Sequence, residues 1–283
     1  MNSKLFLRKF YWNIIKRHYY GITGCLRVLP NFIIIGAMKS GTTSLNYNMA
    51  EHPCIIPAAY DEIGFFDVNF DLGFNWYRSL FPTIFSKKKI LNKNSFFATG
   101  EDTPFYFWRE DAVLRIKQYL PDVKLLLVLR NPIDRAYSNY IDELNQFSNI
   151  PTFEEIIKNE IELIDSEKNF CLSQNNFERY SRNPSHIAKG FYAEQLKLWF
   201  KYFPENQFCI ISTENLAKNP IDTMNKIFNF LELPNYDIKN PQKKKFKKYK
   251  PMNKKTRDFL IEYYKPHNKQ LYDLISENFD WEK

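Results

Sequence analysis

The sequence predicts an α/β fold: one domain of three layers, α/β/α, with helices on both faces of a central, mostly parallel sheet. Three observations carry this. Short apolar runs recur between segments of helical periodicity, the order that parallel crossover units require. The two strongest runs, Phe32–Ile35 and Lys124–Leu129, show no polar alternation, as in strands buried on both faces. A chain of 283 residues that is 44% hydrophobic, with 26 Phe and 18 Tyr, can also bury one sizeable core without disulfide staples.

The first strand is expected at 32–36, and a helix from Thr42 towards Glu51. That helix stops at His52-Pro53, because a residue before proline is driven out of the helical region. A second short strand is expected at Phe96–Gly100. Ala112–Tyr119 reads as a helix, with Val113, Ile116 and Leu120 on one stripe. Lys124–Leu129 is a central strand. Ala193–Phe203 places Leu196, Trp199, Phe200 and Phe203 on one helical face, and Gln207–Ile211 is a further strand. Asn219-Pro220 opens another helix, since proline suits a first turn. Arg257–Tyr264 and Asn268–Ser276 read as helical pieces separated by Pro266. The stretch 142–188 is polar, Asn-rich and punctuated by Pro151 and Pro184. It reads as an insertion with a helix near Phe153; a cover over the site and a surface excursion both fit.

Residues 32–45, FIIIGAMKSGTTSL, are the most informative stretch. A strand, a turn bracketed by Gly36 and Gly41, and a helix opening at Thr42-Thr43-Ser44 present unpaired N–H groups and a positive helix end to an anion. Lys39 adds a cation inside the turn, and the three hydroxyls add donors. The fold is thus of the phosphate-loop (P-loop) type. The turn departs from the nucleotide triphosphate motif, because Thr42 stands where lysine should follow the second glycine. No later strand reads as ending in an acid for Mg²⁺, and the strand Lys124–Leu129 leads instead into Arg130, which favours a second anion. Two anion sites without a metal acid suit a ligand with phosphates at both ends, so no metal site is expected.

The net charge of +8 suits acidic ligands without separating nucleotide, sulfated sugar, RNA or anionic membrane. Four cysteines, at 25, 54, 171 and 209, lack CxxC spacing and read as reduced thiols in a reducing cytoplasm. No apolar stretch approaches the roughly 18–20 residues that cross a bilayer. Residues 1–30 form a basic, aromatic N-terminal segment. A domain-capping helix and a membrane-surface helix both fit it, the latter using Leu5, Leu7, Phe10, Trp12 and Ile14. The basic run Lys243–Lys250 is either a solvated loop or a cover for an anionic ligand.

The chain resembles sulfotransferases that use 3′-phosphoadenosine-5′-phosphosulfate (PAPS). KSGTTSL, from Lys39, is similar to their 5′-phosphosulfate loop, and the stretch from Arg130 through Asn131-Pro132 to Ser138 to their 3′-phosphate motif. The heparan sulfate (glucosaminyl N- and 3-O-) branch and its bacterial relatives also place an acid before a Phe-Phe pair, matched by Asp61-Glu62 and Phe65-Phe66. A Trp-Tyr then Phe-Pro segment is matched by Trp76-Tyr77 and Phe81-Pro82, and a basic tail loop loosely by Lys245 and Lys247. The resemblance covers Asn31 to Ile275.

It implies a soluble, cytoplasmic, bacterial-style enzyme with PAPS as co-substrate and adenosine 3′,5′-bisphosphate as product. The acceptor would be a hydroxyl or amine of a saccharide or glycolipid, with no nucleic acid partner; peripheral contact with the inner membrane face through residues 1–30 stays open. Lys39 would face the leaving group, while Ser40, Gly41, Thr42, Thr43 and Ser44 hold the 5′-phosphate. Arg130 and Ser138 would bind the 3′-phosphate, and Lys245 and Lys247 would cover the nucleotide. Glu62 would be the base, with Asp61 its rival, and Trp76 suits stacking on a sugar ring. Arg135 ranks below Arg130 and Ser138, since it could equally pair with Asp134 or another core acid, and His52 is expected to be structural. Two departures stand out: Asp102 occupies a position where relatives often carry lysine, and Phe246 replaces the tail loop's glycine. The alternatives are a P-loop kinase or nucleotide hydrolase, which would need Mg²⁺, and a non-catalytic nucleic-acid binder, whose affinity would fall steeply with salt.

Overall fold

The computed structural model describes residues 23–166, 185–239 and 250–282. Among these residues a four-stranded, all-parallel sheet runs in the order β2-β1-β3-β4. The strands are β1 (Phe32–Gly36), β2 (Gly100–Asp102), β3 (Lys124–Leu129) and β4 (Phe208–Ser212). Alternate residues of the central strands feed opposite faces, as the period of two requires. Ile33, Ile35, Leu125, Leu127 and Leu129 pack with Phe107, Val113, Ile116, Tyr192 and Trp199. Phe32, Ile34, Leu126 and Val128 pack the other way, with Leu45, Met49, Met224, Ile227 and Phe228. The helices follow from this: α1 (Thr42–Ala50) and α9 (Pro220–Phe230) cover one face, α4 (Glu110–Tyr119) and α7 (Tyr192–Phe200) the other. The three-layer α/β/α architecture of the P-loop type is thereby realised.

The short helices α2 (Phe74–Arg78) and α3 (Ile84–Asn94) lie between β1 and β2 in sequence. β3 runs into α5 (Pro132–Gln146), whose first turn is capped by the Asn131 side chain accepting from Ile133 N–H at 3.0 Å. α6 (Phe153–Ser166) buries Phe153 and Ile157 in a third cluster with Ile133, Ala136, Leu260 and Tyr264. That part of the expected insertion is docked onto the domain. α8 (Thr213–Lys218) follows β4 directly, and α10 (Lys254–Ile275) closes the chain.

Two expected elements differ. The strand placed at 96–100 is β2 at Gly100–Asp102 instead, and Ala98 makes only an isolated bridge to Ile55. Pairing starts at Gly100 because the Phe32 ring crosses it: a Cβ there would lie 2.4 Å from Phe32 Cε2. The two C-terminal helical pieces are one helix with Pro266 inside it. Leu260, Tyr264, Asn268 and Leu271 stay buried on one face through the proline, and this packing outweighs its lost donor.

Candidate active site

The turn between β1 and α1 is held from below. Gly36 has no room for a side chain, since a Cβ would sit 2.5 Å from Phe107 Cβ. Ala37 N–H donates to Val128 O of the neighbouring β3 at 2.7 Å. Gly41, at φ 87, makes the left-handed bend into α1. The first helical bond is Leu45 N–H to Gly41 O at 3.0 Å, so the N–H groups of Thr42, Thr43 and Ser44 have no acceptor within the helix. Ser40 is fully buried, and its hydroxyl has no partner among the described residues. These are orphan donors at a positive helix end, the equipment for an anion. Lys39 has φ 66 and Glu62 φ 53, a left-handed backbone uncommon outside glycine.

Arg130 leaves β3 beside this turn, because β1 and β3 are parallel neighbours and their C-terminal ends share one edge of the sheet. Its Nη1 donates to the Lys39 carbonyl at 3.1 Å. The Tyr192 hydroxyl fixes the Arg130 carbonyl at 2.8 Å. Thr213, the first residue of α8, ties turn and strands together: its hydroxyl lies 2.6 Å from Ser40 O and 3.0 Å from Leu129 O. Ser138 is half-buried on α5, two turns beyond Asn131. Lys245 and Lys247 lie outside the described residues, as does most of the N-terminal segment.

A carboxylate group occupies the other side of β1. Asn46 of α1 donates to Asp61 Oδ1 at 3.0 Å and to Asp102 Oδ1 at 2.8 Å. Glu62 N–H donates to Asp102 O at 2.8 Å. Asp102 is buried, and burial first, then the charge of Asp61, raise its pKa to about 8. Glu101 points into the core, where it accepts from Tyr77 and Thr103 at 2.8 Å each; burial raises its pKa to about 7. The Glu62 side chain is exposed.

Several expectations need correcting. A strand after β1 does end in an acid, Asp102 of β2. The strand expected at 96–100 ends before Asp102, whereas β2 ends on it, and the Oδ1 of Asp102 is taken by Asn46. Among the described residues no group of three His, Cys, Asp or Glu side chains could hold a metal. Trp76 is buried against Phe65, so it offers no face to a sugar. Arg135 is fully buried and donates to the His186 carbonyl, while Asp134 pairs instead with Arg257 at 2.7 Å. His52 is structural: its Nδ1 accepts from Cys54 N–H at 3.1 Å, and Nε2 lies 3.0 Å from Pro234 O. Cys25, Cys54 and Cys209 are free thiols.

Sequence reasoning missed two residues. Asp142 of α5 forms an ion pair with Lys39. It follows Ser138 by four positions, so helical spacing from the proposed phosphate serine points to it. Thr213 carried no local signal; it reaches the turn only because β4 lies beside β3.

A family model, the sulfotransferase domain, matches residues 29–270. The membrane-associated sulfotransferase kil1 of Dictyostelium discoideum is 28% identical over 329 aligned positions, covering 92% of this chain and 68% of that protein. Human heparan sulfate glucosamine 3-O-sulfotransferase 3B1 is 34% identical over 207, covering 72% of this chain and 46% of the relative. The crystal structure of a sulfotransferase from Alicyclobacillus acidocaldarius superposes with a TM-score of 0.67 at 25% identity, covering 90% of this chain and 100% of that one. The chain thus spans about two thirds of kil1's length and less than half of the human relative's. Among the described residues no helix is long and apolar enough to cross a membrane. With a family model covering most of its length over this sheet and this turn, the chain belongs to the sulfotransferase family of sulfate-transferring enzymes.

Proposed function

We propose that the protein transfers a sulfuryl group from PAPS, in line, to a hydroxyl or amine of a saccharide or glycolipid acceptor. The observation that carries this is the 3.1 Å bond from Arg130 to the Lys39 carbonyl. It puts Arg130 beside the turn that carries Lys39, which supports reading the two anion sites as the two ends of one ligand. The residues fit such a ligand: among the described residues, the hydroxyl of buried Ser40 has no partner and the N–H groups opening α1 have no acceptor. PAPS would supply the activated sulfuryl group and a phosphate leaving group.

In this reading, Thr42, Thr43 and Ser44 with Ser40 and Gly41 grip the 5′-phosphate through backbone and hydroxyl donors. Lys39 exchanges Asp142 for the charge that grows on the leaving oxygen, where a fixed cation lowers the barrier. Arg130 offers its planar fork to the 3′-phosphate, with Ser138 beside it, and Lys245 and Lys247 cover the nucleotide. Glu62 takes the acceptor's proton, its carboxylate losing water as the acceptor settles over it. The heparan sulfate relatives support the saccharide class of acceptor. The localisation we propose is cytoplasmic.

The test is transfer of radiolabelled sulfate from PAPS to a panel of polysaccharides and glycolipids, with mass spectrometry of the product and Glu62→Gln as the control. Glu62→Gln should keep the rise in melting temperature given by adenosine 3′,5′-bisphosphate and lose transfer. Full transfer by that variant removes Glu62 from the mechanism, and absence of labelled product from the whole panel counts against the acceptor class.

A further inference from the structure

α3 lies against the domain without burying any of its residues. Its head is fixed by the Thr83 hydroxyl, which accepts from Ser86 N–H at 3.1 Å, and by an isolated bridge between Thr83 and Arg27. Its tail is tied by Asn94, whose amide reaches Pro53 O at 3.4 Å, and Lys87 lies 5.8 Å from the centre of the Phe97 ring. The exposed positions of the helix are Ile84, Phe85, Lys88, Lys89, Asn92 and Lys93. They recur as adjacent pairs at the helical spacing, so they share one outward face.

That face mixes two kinds of side chain. Phe85, 69% exposed, stands at its head beside Ile84, and Phe96, 43% exposed, follows just past the helix end. Leu26, also exposed, precedes the Arg27 that bridges to Thr83. Between the apolar ends stand Lys88, Lys89 and Lys93, none with an ion pair or hydrogen bond among the described residues. From residue 72 to residue 100 the chain has no Asp or Glu, so no acid of this stretch balances them. Single exposed apolar residues are ordinary, but large ones gathered with unbalanced lysines mark a surface that meets a partner. The mixture indicates which partner. A nucleic-acid backbone would take the lysines and leave Ile84 and Phe85 in water. A bilayer with acidic headgroups takes both, since lysine heads stay at the headgroups while their stems and the apolar side chains enter the interface.

We propose that the outward face of α3 docks on an anionic lipid bilayer, with Lys88, Lys89 and Lys93 against the headgroups and Ile84 and Phe85 in the interfacial layer. Each lysine near a negatively charged leaflet adds an attraction that salt screens, and the apolar pair adds binding that salt leaves in place. The contact goes beyond sulfuryl transfer, uses no residue placed in the site, and is independent of what the acceptor is. It rests on residues 84–93, not on the basic segment 1–30.

Flotation of the full chain with phosphatidylcholine vesicles, with and without phosphatidylserine, tests it. The parent should float with the phosphatidylserine vesicles, less so as salt rises, and not with phosphatidylcholine alone. Replacing the three lysines together (Lys88→Gln, Lys89→Gln, Lys93→Gln) should weaken that partition on the order of 10²-fold, and Phe85→Ser about tenfold. All four positions are exposed, so both variants should keep the parent's Tm and its response to adenosine 3′,5′-bisphosphate. Should one of them not fold, the other is sufficient. No flotation by the parent, or equal flotation by the parent and the folded variants, overturns the proposal; the second result would move the lipid contact to another part of the chain. A single-stranded oligonucleotide that the parent binds and the lysine variant does not, with Phe85→Ser floating as the parent does, overturns it in favour of a nucleic acid.

Discussion

The two sides of β1 are built with opposite charge. Towards β3, the strand ends gather Lys39, Arg130 and the orphan N–H groups of α1. Towards β2, they gather Asp61, Glu62 and Asp102, stitched together by Asn46. One strand thus separates a surface that attracts anions from one that can accept a proton. Sulfuryl transfer asks for that division, since charge grows on the leaving oxygen while a proton leaves the acceptor. The sides also differ in rigidity of origin. The cationic side is braced by backbone partners: Thr213 to Ser40 and Leu129, Tyr192 to Arg130. The acidic side has a backbone bond too, Glu62 N–H to Asp102 O, but its carboxylates meet through the Asn46 side chain, and Asp102 Oδ2 has no partner among the described residues.

The largest effect should come from breaking the cationic side at Lys39. Lys39→Ala is expected to lower kcat by about 10²-fold or more while the protein still melts cooperatively, because the lost interaction matters most as charge develops. A turnover within a few fold of the parent would mean that the positive end of α1 suffices and that the lysine's ion pair with Asp142 is merely structural.

Arg130→Ala sharpens the same side at its other end. Losing one charged hydrogen-bonding partner of a phosphate should weaken binding of adenosine 3′,5′-bisphosphate about 10–100-fold, from roughly 1.5–3 kcal/mol per such bond. Titration calorimetry reads this directly. An unchanged Kd would detach Arg130 from the nucleotide and leave it as a brace for the Lys39 carbonyl.

The acidic side is broken at Asp102. Its folded-state pKa of about 8 lies above the ordinary carboxyl value, so the folded chain holds a proton that the unfolded chain gives up. Stability from this group is therefore full below about pH 4 and falls as pH rises through 8, by at most about 1.4 kcal/mol per unit. Asp102→Asn removes that titration. Its Tm should equal the parent's near pH 4, exceed it at pH 9, and still decline through pH 7 because Glu101, raised to about 7, titrates in both proteins. Parallel Tm profiles across that range would show that Asp102 is already charged in the fold.

How much of this was legible in the sequence follows the same division. The cationic side is local: strand, glycine turn and helix start occupy consecutive residues, and Arg130 follows an unmistakable apolar run. Parallel pairing of two buried strands then brings both ends to one edge, so the fold class and the nearness of Lys39 and Arg130 could be read together. The acidic side is non-local. β2 has three residues, and its pairing depends on the Phe32 ring lying across Gly100, so its register is invisible in composition. The apolar run ending at Ala98 drew the strand four residues too early, which hid Asp102 as a strand-end acid. Trp76 failed for a related reason: aromatic residues serve core and ligand alike, and only packing against Phe65 tells which. Pro266 misled in the other direction, because a long buried stripe can carry a helix through one missing donor.

The smallest effect should come from Thr213, which braces the cationic side without touching the expected ligand. Thr213→Val keeps the shape and removes a hydroxyl lying within hydrogen-bond distance of both Ser40 O and Leu129 O. The lost bond should cost about 1 kcal/mol of stability. If its role is to hold the turn in register with β3, the variant should also bind adenosine 3′,5′-bisphosphate a few fold more weakly, with kcat for sulfate transfer less affected than KM for PAPS. A stability loss without any change in nucleotide affinity would show that Ala37 N–H on Val128 O, at 2.7 Å, already fixes the turn by itself. The bracing would then belong to the strand pair, and α8 would contribute only packing.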